Sequence, residues 1–218
     1  MKKLFMMLAL CCGVMTANAQ REVGTLTLQP KVGVTAATLT DCEIPGTDEM
    51  DSKLLFGGVA GVEAEYQLTP MISLAAGVNY AMQGIGFDDF EKSESGYKAG
   101  IKDAKISMNY INVPITANFY LFKGFALKAG IQLGFVSDAK MEYTVYGNIP
   151  GTEFDGETEY ELDIEDTKMD ISIPLGLSYE YDDFVIDARY NLGISKVADD
   201  VDYKNRVLQL TVGYKFDL

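Results

Sequence analysis

Along most of this chain the side chains alternate with a period of two, and one side of the alternation carries almost no charge. Period two puts successive side chains on opposite faces of an extended strand, which points away from a helical build. In residues 71–83, Ile72, Leu74, Ala76, Val78, Tyr80 and Met82 oppose Ser73, Ala75, Gly77, Asn79, Ala81 and Gln83. In 111–121, Ile111, Val113, Ile115, Ala117, Phe119 and Leu121 oppose Asn112, Pro114, Thr116, Asn118 and Tyr120. The pattern returns at 127–135, 169–181, 184–194 and 208–218, and more weakly at 25–38 and 54–66. Eight strands are predicted, an even number that can close.

The chemistry of the two sides decides which way such a closed sheet faces. A soluble barrel of the lipocalin kind turns its apolar side inward and needs long charged residues outside. Here the polar side is dominated by Gly, Ser, Thr, Asn and Ala, groups small enough for the interior of a narrow barrel. The other side has the Leu, Ile, Val, Phe and Tyr of a lipid-facing wall. Tyr66, Tyr80, Phe119, Tyr179, Tyr181, Phe184, Tyr190, Tyr214 and Phe216 fall near strand ends, where aromatic girdles sit. The connections 67–70, 122–125 and 182–183 are tight, whereas 40–53, 84–105, 138–167 and 197–205 are long. The expected fold is all-β: an eight-stranded antiparallel transmembrane up-and-down barrel with short periplasmic turns and long extracellular loops. The soluble ligand-binding barrel is the alternative.

Nine charges fall on the inward side: Lys31, Lys128, Arg189 and Lys215, with Glu63, Glu65, Asp170, Glu180 and Asp187. Buried charge is tolerated only when paired, so they are expected to form a plug of ion pairs; a narrow polar path is the other reading.

The first nineteen residues read as an export signal. Met1-Lys2-Lys3 is a cationic start, residues 4–15 are mostly apolar, and Ala17-Asn18-Ala19 is a small-residue cleavage site. Residues 20–218 then form a single domain in which Cys42 is the one thiol, so no internal disulfide is available. The chain has no histidine, which removes most metalloenzyme designs and every Ser-His or Cys-His pair. No phosphate-cradling or dinucleotide motif occurs, so neither an enzyme nor a cofactor is expected. A formal charge of −14 argues against nucleic acid.

Three blocks carry a family resemblance. The first is Tyr110-Ile111-Asn112-Val113-Pro114-Ile115 with Asn118-Phe119-Tyr120-Leu121, then Ala129-Gly130 and Gly134. The second is Ile173-Pro174-Leu175-Gly176-Leu177-Ser178-Tyr179 with Asp187-Ala188-Arg189-Tyr190-Asn191-Leu192-Gly193, and the third is the ending 208–216. Together they resemble the Bacteroidetes outer membrane protein beta-barrel domain family, the PorT-like or porin-family small barrels. The resemblance implies an eight-stranded barrel in the outer membrane and, for some relatives, a secretion accessory role. The last strand also resembles the signal read by the barrel-assembly machinery. Outer-membrane lipid and that machinery are thus the expected partners.

Twenty-three of the 32 acids lie in the four long connections. In one of them Glu153, Asp155, Glu157, Glu159, Glu161, Asp163 and Glu165 alternate with Phe154, Gly156, Thr158, Tyr160, Leu162 and Ile164. With Met141, Tyr143 and Val145 before a turn at 148–151, this predicts a hairpin over 138–167 that extends two strands beyond the membrane. The acids keep such a hairpin wet. Glu153, Asp155, Glu157, Glu159, Glu161 and Asp163 are also candidates for a divalent cation, which wants several carboxylates. Docking of a cationic partner is the third reading, and the hairpin edge is open to a partner strand. The function expected is a non-enzymatic surface barrel with acidic loops; a narrow channel or PorT-like secretion component is the alternative.

Overall fold

The computed structural model describes residues 21–40, 52–94, 97–149, 152–162, 169–195 and 204–218. The expected export signal, Cys42, the middle of the 40–53 connection, the turn at 150–151, Asp163, Glu165 and the acids of the 197–205 connection lie outside them.

Twelve strands occur among the described residues: β1 (Leu26–Thr40), β2 (Ser52–Lys53), β3 (Leu55–Thr69), β4 (Ile72–Phe87), β5 (Phe90–Glu94), β6 (Tyr97–Phe122), β7 (Phe125–Ile149), β8 (Thr152–Glu161), β9 (Asp170–Tyr181), β10 (Phe184–Gly193), β11 (Lys204–Tyr214) and β12 (Phe216–Asp217). Eight of them close a ring of antiparallel pairs in the order β1, β3, β4, β6, β7, β9, β10, β11 and back to β1. The other four are additions to the expected eight. β12 continues the last strand past a break at Lys215 and pairs with β1. β2, β5 and β8 add to β4, β6 and β7 respectively.

The register fixes the shape of the ring. A circuit begun at Leu26 runs through Tyr66, Leu74, Ala117, Ala129, Leu175, Tyr190 and Leu208 and meets β1 again at Ala36, ten residues along. With about 3.3 Å per residue and about 4.8 Å between strands, that stagger tilts the strands by roughly 40°. Ten residues so tilted rise about 25 Å, the height of the apolar band of an outer-membrane barrel. Turns at the lower end are tight. Asp182 and Asp183 both take positive φ (46° and 69°), the two-residue hairpin geometry whose twist matches the strands. Gly124 supplies a φ of 85° between β6 and β7, beyond the Phe122–Phe125 pair.

The barrel is inside out relative to a soluble protein. Every residue of the circuit above faces outward, and Val32 beside it is 63 % exposed. The largest fully buried side chain is Arg189, at 1 %. The soluble lipocalin-like alternative requires the opposite and is overturned: Ile115, Leu175 and Leu210 stand outside, and Asn191, Ser178 and Thr116 stand inside. No described helix is long and apolar enough to cross a membrane; the crossing is made by strands.

Beyond the apolar band the same sheet turns its hydrophobic face around. Asn109 pairs with Asp138 and Tyr110 with Val136, which leaves Ser137 as an extra residue in β7. Odd-numbered residues face lipid up to Phe135, but from Ala139 onward they face the barrel axis. Ala139 is buried against Met108 and Tyr110, and Tyr143 packs on the same cluster. A second bulge, with Asp103 at φ 56°, shifts β6 so that Ile101 joins that face. The sheet of β5 to β8 is thereby apolar toward the axis and charged on its outer face, as water demands. This corrects the reading of 84–105 as a loop. β4 runs on to Phe87, β5 follows, and β6 begins at Tyr97. Ladder hydrogen bonds continue here without a lipid-facing stripe to advertise them, so the alternation in the sequence fades while the strand persists.

Two outcomes follow. Leu175→Lys puts a charge in mid-wall and lowers barrel stability by about 2–4 kcal/mol in urea unfolding from lipid vesicles. Deletion of Ser137 removes the bulge and leaves Lys140 and Glu142 facing outward, because Asp138 then follows Val136 in plain alternation and still meets Asn109, so limited proteolysis of the β7–β8 hairpin should be unchanged.

Candidate functional site

The inward positions of the ring deliver the charges to one place. Glu63 on β3 is the hub: Lys31 of β1 lies 2.6 Å from its carboxylate, Lys128 of β7 3.2 Å and Arg189 of β10 3.2 Å. Asp187, two residues from Arg189 on the same strand face, takes Lys128 at 2.8 Å and Arg189 at 3.2 Å. Three cations thus share two carboxylates, and all five side chains are buried. Toward the short-turn end, Lys215 is 2.9 Å from both Glu65 and Glu180. The Ser73 hydroxyl donates to Glu65 at 2.5 Å and the Tyr120 hydroxyl also donates to it. Asn118 donates in turn to Ser73 at 3.1 Å. This second cluster has two acids to one cation and so offsets the excess of the first. At its foot Arg21 joins Glu180 at 3.1 Å, Asp183 at 2.7 Å and Asp217.

Asp170 is the exception among the nine predicted inward charges. It is buried on β9, but its partners are the Ser195 hydroxyl at 2.8 Å and the Asn205 amide at 2.6 Å, not a cation. Its strand position lies toward the outer end, opposite Gly134, away from the register that gathers the others. The Asn205 amide also donates to the Tyr110 hydroxyl at 2.9 Å. Tyr110 therefore links this polar group to an apolar cluster of Leu39, Ile85, Phe87, Ala104, Met108 and Ala139, which sits on the axis side at the outer end of the barrel.

Outside, the acids of the hairpin meet lysines. Asp155 takes Lys102 at 2.7 Å, Glu159 takes Lys140 at 2.7 Å and Glu142 takes Lys105 at 2.8 Å. The hydrogen bond from Lys140 holds the Glu159 carboxyl below the usual carboxylate range. Glu157 and Glu161 are exposed, and no ion pair engages either among the described residues. The Glu153 side chain and Asp163 fall outside the described residues. No group of three or more metal-ligating side chains converges among those described.

Period two gives the direction of these charged side chains along their strands. It did not reveal Arg21, whose partners are 159 to 196 residues away, nor the apolar outer cluster, which depends on the bulges. Tyr120 was already on the polar side of its strand, and that was the available signal.

A closed sheet of paired strands, apolar without and ion-paired within, defines an integral outer-membrane β-barrel. The family model described as "Outer membrane protein beta-barrel domain" matches residues 18–199, and the chain belongs to that family. Its place is accordingly the bacterial outer membrane. Comparison with curated protein sequences finds no match. Among solved structures, the chain is similar to the attachment invasion locus protein Ail of Yersinia pestis, bound to the heparin analogue sucrose octasulfate. That pair shares 15 % identity over 89 % of this chain and 100 % of the other, with a TM-score of 0.43. Neisserial surface protein A is similar at 14 % identity over 88 % and 97 %, with a TM-score of 0.42. The Escherichia coli outer membrane protease OmpT follows at 10 %, over 89 % and 97 %, with 0.35.

Removing the hub tests the lumen. Glu63→Ala leaves three cations around one remaining carboxylate and costs about 3–5 kcal/mol, the range for breaking a buried pair. It should lower the temperature at which the folded band converts on heat-modifiability gels, whereas Glu159→Ala on the exposed hairpin leaves that temperature unchanged.

Proposed function

We propose that this protein is a non-enzymatic surface barrel whose work is done by the sheet it holds above the membrane, as a structural or contact element of the cell envelope. The observation that carries the reading is the distribution of polar groups. In the lumen Lys31, Lys128 and Arg189 share Glu63 and Asp187, the surplus positive charge is offset by Glu65 and Glu180 around Lys215, and an apolar cluster lies beyond them. On the outer face of β6, β7 and β8 they are turned to water. Eight strands enclose an interior that side chains fill, which favours an anchor over a pore. The missing histidine supports a non-catalytic role, because barrel chemistry at a Ser or Cys needs an activating base.

The purified protein in planar bilayers should give no stable conductance steps; reproducible single-channel steps would replace this reading with a channel. The finer placement among PorT-like Bacteroidetes barrels rests on the three sequence blocks quoted above. It predicts loss of secreted cargo in a deletion strain, and normal secretion would remove it.

A further inference from the structure

We propose that the free edge of β8 is a docking strand for an extended cationic segment of another protein, added edge to edge to the outer sheet with alternating basic and apolar side chains. The inference rests on the surface reading above and names the partner's chemistry. Three independent features of β8 converge on it.

The first is the edge itself. β8 pairs with β7 over ten positions, from Lys140 with Glu161 to Ile149 with Thr152, and no strand pairs its other side among the described residues. Backbone donors and acceptors along that side are those of an open ladder, which a partner strand completes.

The second is unmatched charge. Asp155 is held by Lys102, and Lys140, paired with Glu159, also lies across the ladder from Glu161, so on this face Asp155, Glu157, Glu159 and Glu161 have two lysines between them and Glu157 has no ion pair among the described residues. These carboxylates recur about 7 Å apart along the strand, the spacing of alternate residues of an incoming strand. Cross-strand pairs of opposite charge are favourable on a sheet face.

The third is the other face. Tyr160 stacks on Tyr143 at a centroid distance of 6.1 Å yet remains 55 % exposed, and nothing approaches within 4 Å of where a Cβ on Gly156 would be. This leaves an apolar step with room beside it, suited to an apolar or aromatic side chain on the partner's alternate positions. The same acids exclude a second copy of this chain: with the Tyr160 faces kept together, two β8 edges would set carboxylates opposite carboxylates. The edge is guarded against itself and open to a basic strand.

The test uses the full protein in lipid nanodiscs and a fluorescent ten-residue peptide alternating Lys with Val or Tyr. A second peptide has the same composition with the alternation scrambled. Docking predicts saturable binding of the alternating peptide, at least tenfold weaker binding of the scrambled one, and a similar loss with the Glu157→Lys, Glu161→Lys double variant. It also predicts slowed amide hydrogen exchange in β8. Equal binding of the two peptides, no saturable binding, or unchanged β8 exchange would each overturn it. A Glu157→Cys variant in a Cys42→Ser background, labelled on intact cells with a membrane-impermeant maleimide, separately reports whether β8 is at the surface. Labelling without peptide binding rejects the docking strand and leaves the surface reading standing; failure to label rejects both.

Discussion

Inside hydrocarbon a peptide group has no water to bond, so each must find its partner in the protein. Closure of the ring between β1 and β11 is the answer of this chain to that demand, and the rest of the structure descends from it. An open eight-stranded sheet would leave two unpaired edges in lipid; the register from Lys31 with Gly213 to Thr40 with Lys204 removes them. Closure with a ten-residue stagger sets the tilt, the tilt sets how many residues span the acyl layer, and the narrow bore admits only side chains. The wall is then apolar because lipid touches it, and the bore polar because alternate residues have nowhere else to go.

A polar bore is stable only when its charges satisfy one another. Glu63 touches cations from three different strands, so the first, seventh and tenth strands are tied through one carboxylate that belongs to the third. Arg21 performs the analogous task at the lower rim, where it gathers the β9–β10 turn and the last strand. Such links oppose ovalisation of the barrel more than they add net stability, because the desolvation of each charge offsets much of the attraction. The apolar cluster around Phe87, Met108 and Tyr110 is a core of the ordinary soluble kind, set on top of this polar one.

The barrel was legible in the sequence because lipid imposes a strict rule on alternate residues. Ile111, Val113, Ile115 and Phe119 announce both the strand and the face. The inward charges follow by parity. Legibility ended where the rule did. Met141, Tyr143 and Val145 keep the odd parity of Leu133 and Phe135, and nothing local says that Ser137 has turned them toward the axis, since a bulge is a fact about two strands in register. The strand character of 97–105 was hidden for a related reason: Lys98, Lys102, Asp103 and Lys105 look like loop residues, and β6 is held there by β5 and β7. Asp170 shows the limit of parity, which gives a side chain's direction and not its height in the bore.

The seam has a consequence for how the molecule comes into being. Its partners, such as Val34 and Leu210, lie farther apart along the chain than those of any other pair of ring strands. Nearly the whole polypeptide must therefore be made before the first strand, already able to meet β3, can meet β11. Until then the nascent chain has two raw margins and a half-formed bore whose cations lack their full company. No fragment short of β11 closes the ring, so closure of the wall waits for the last long strand.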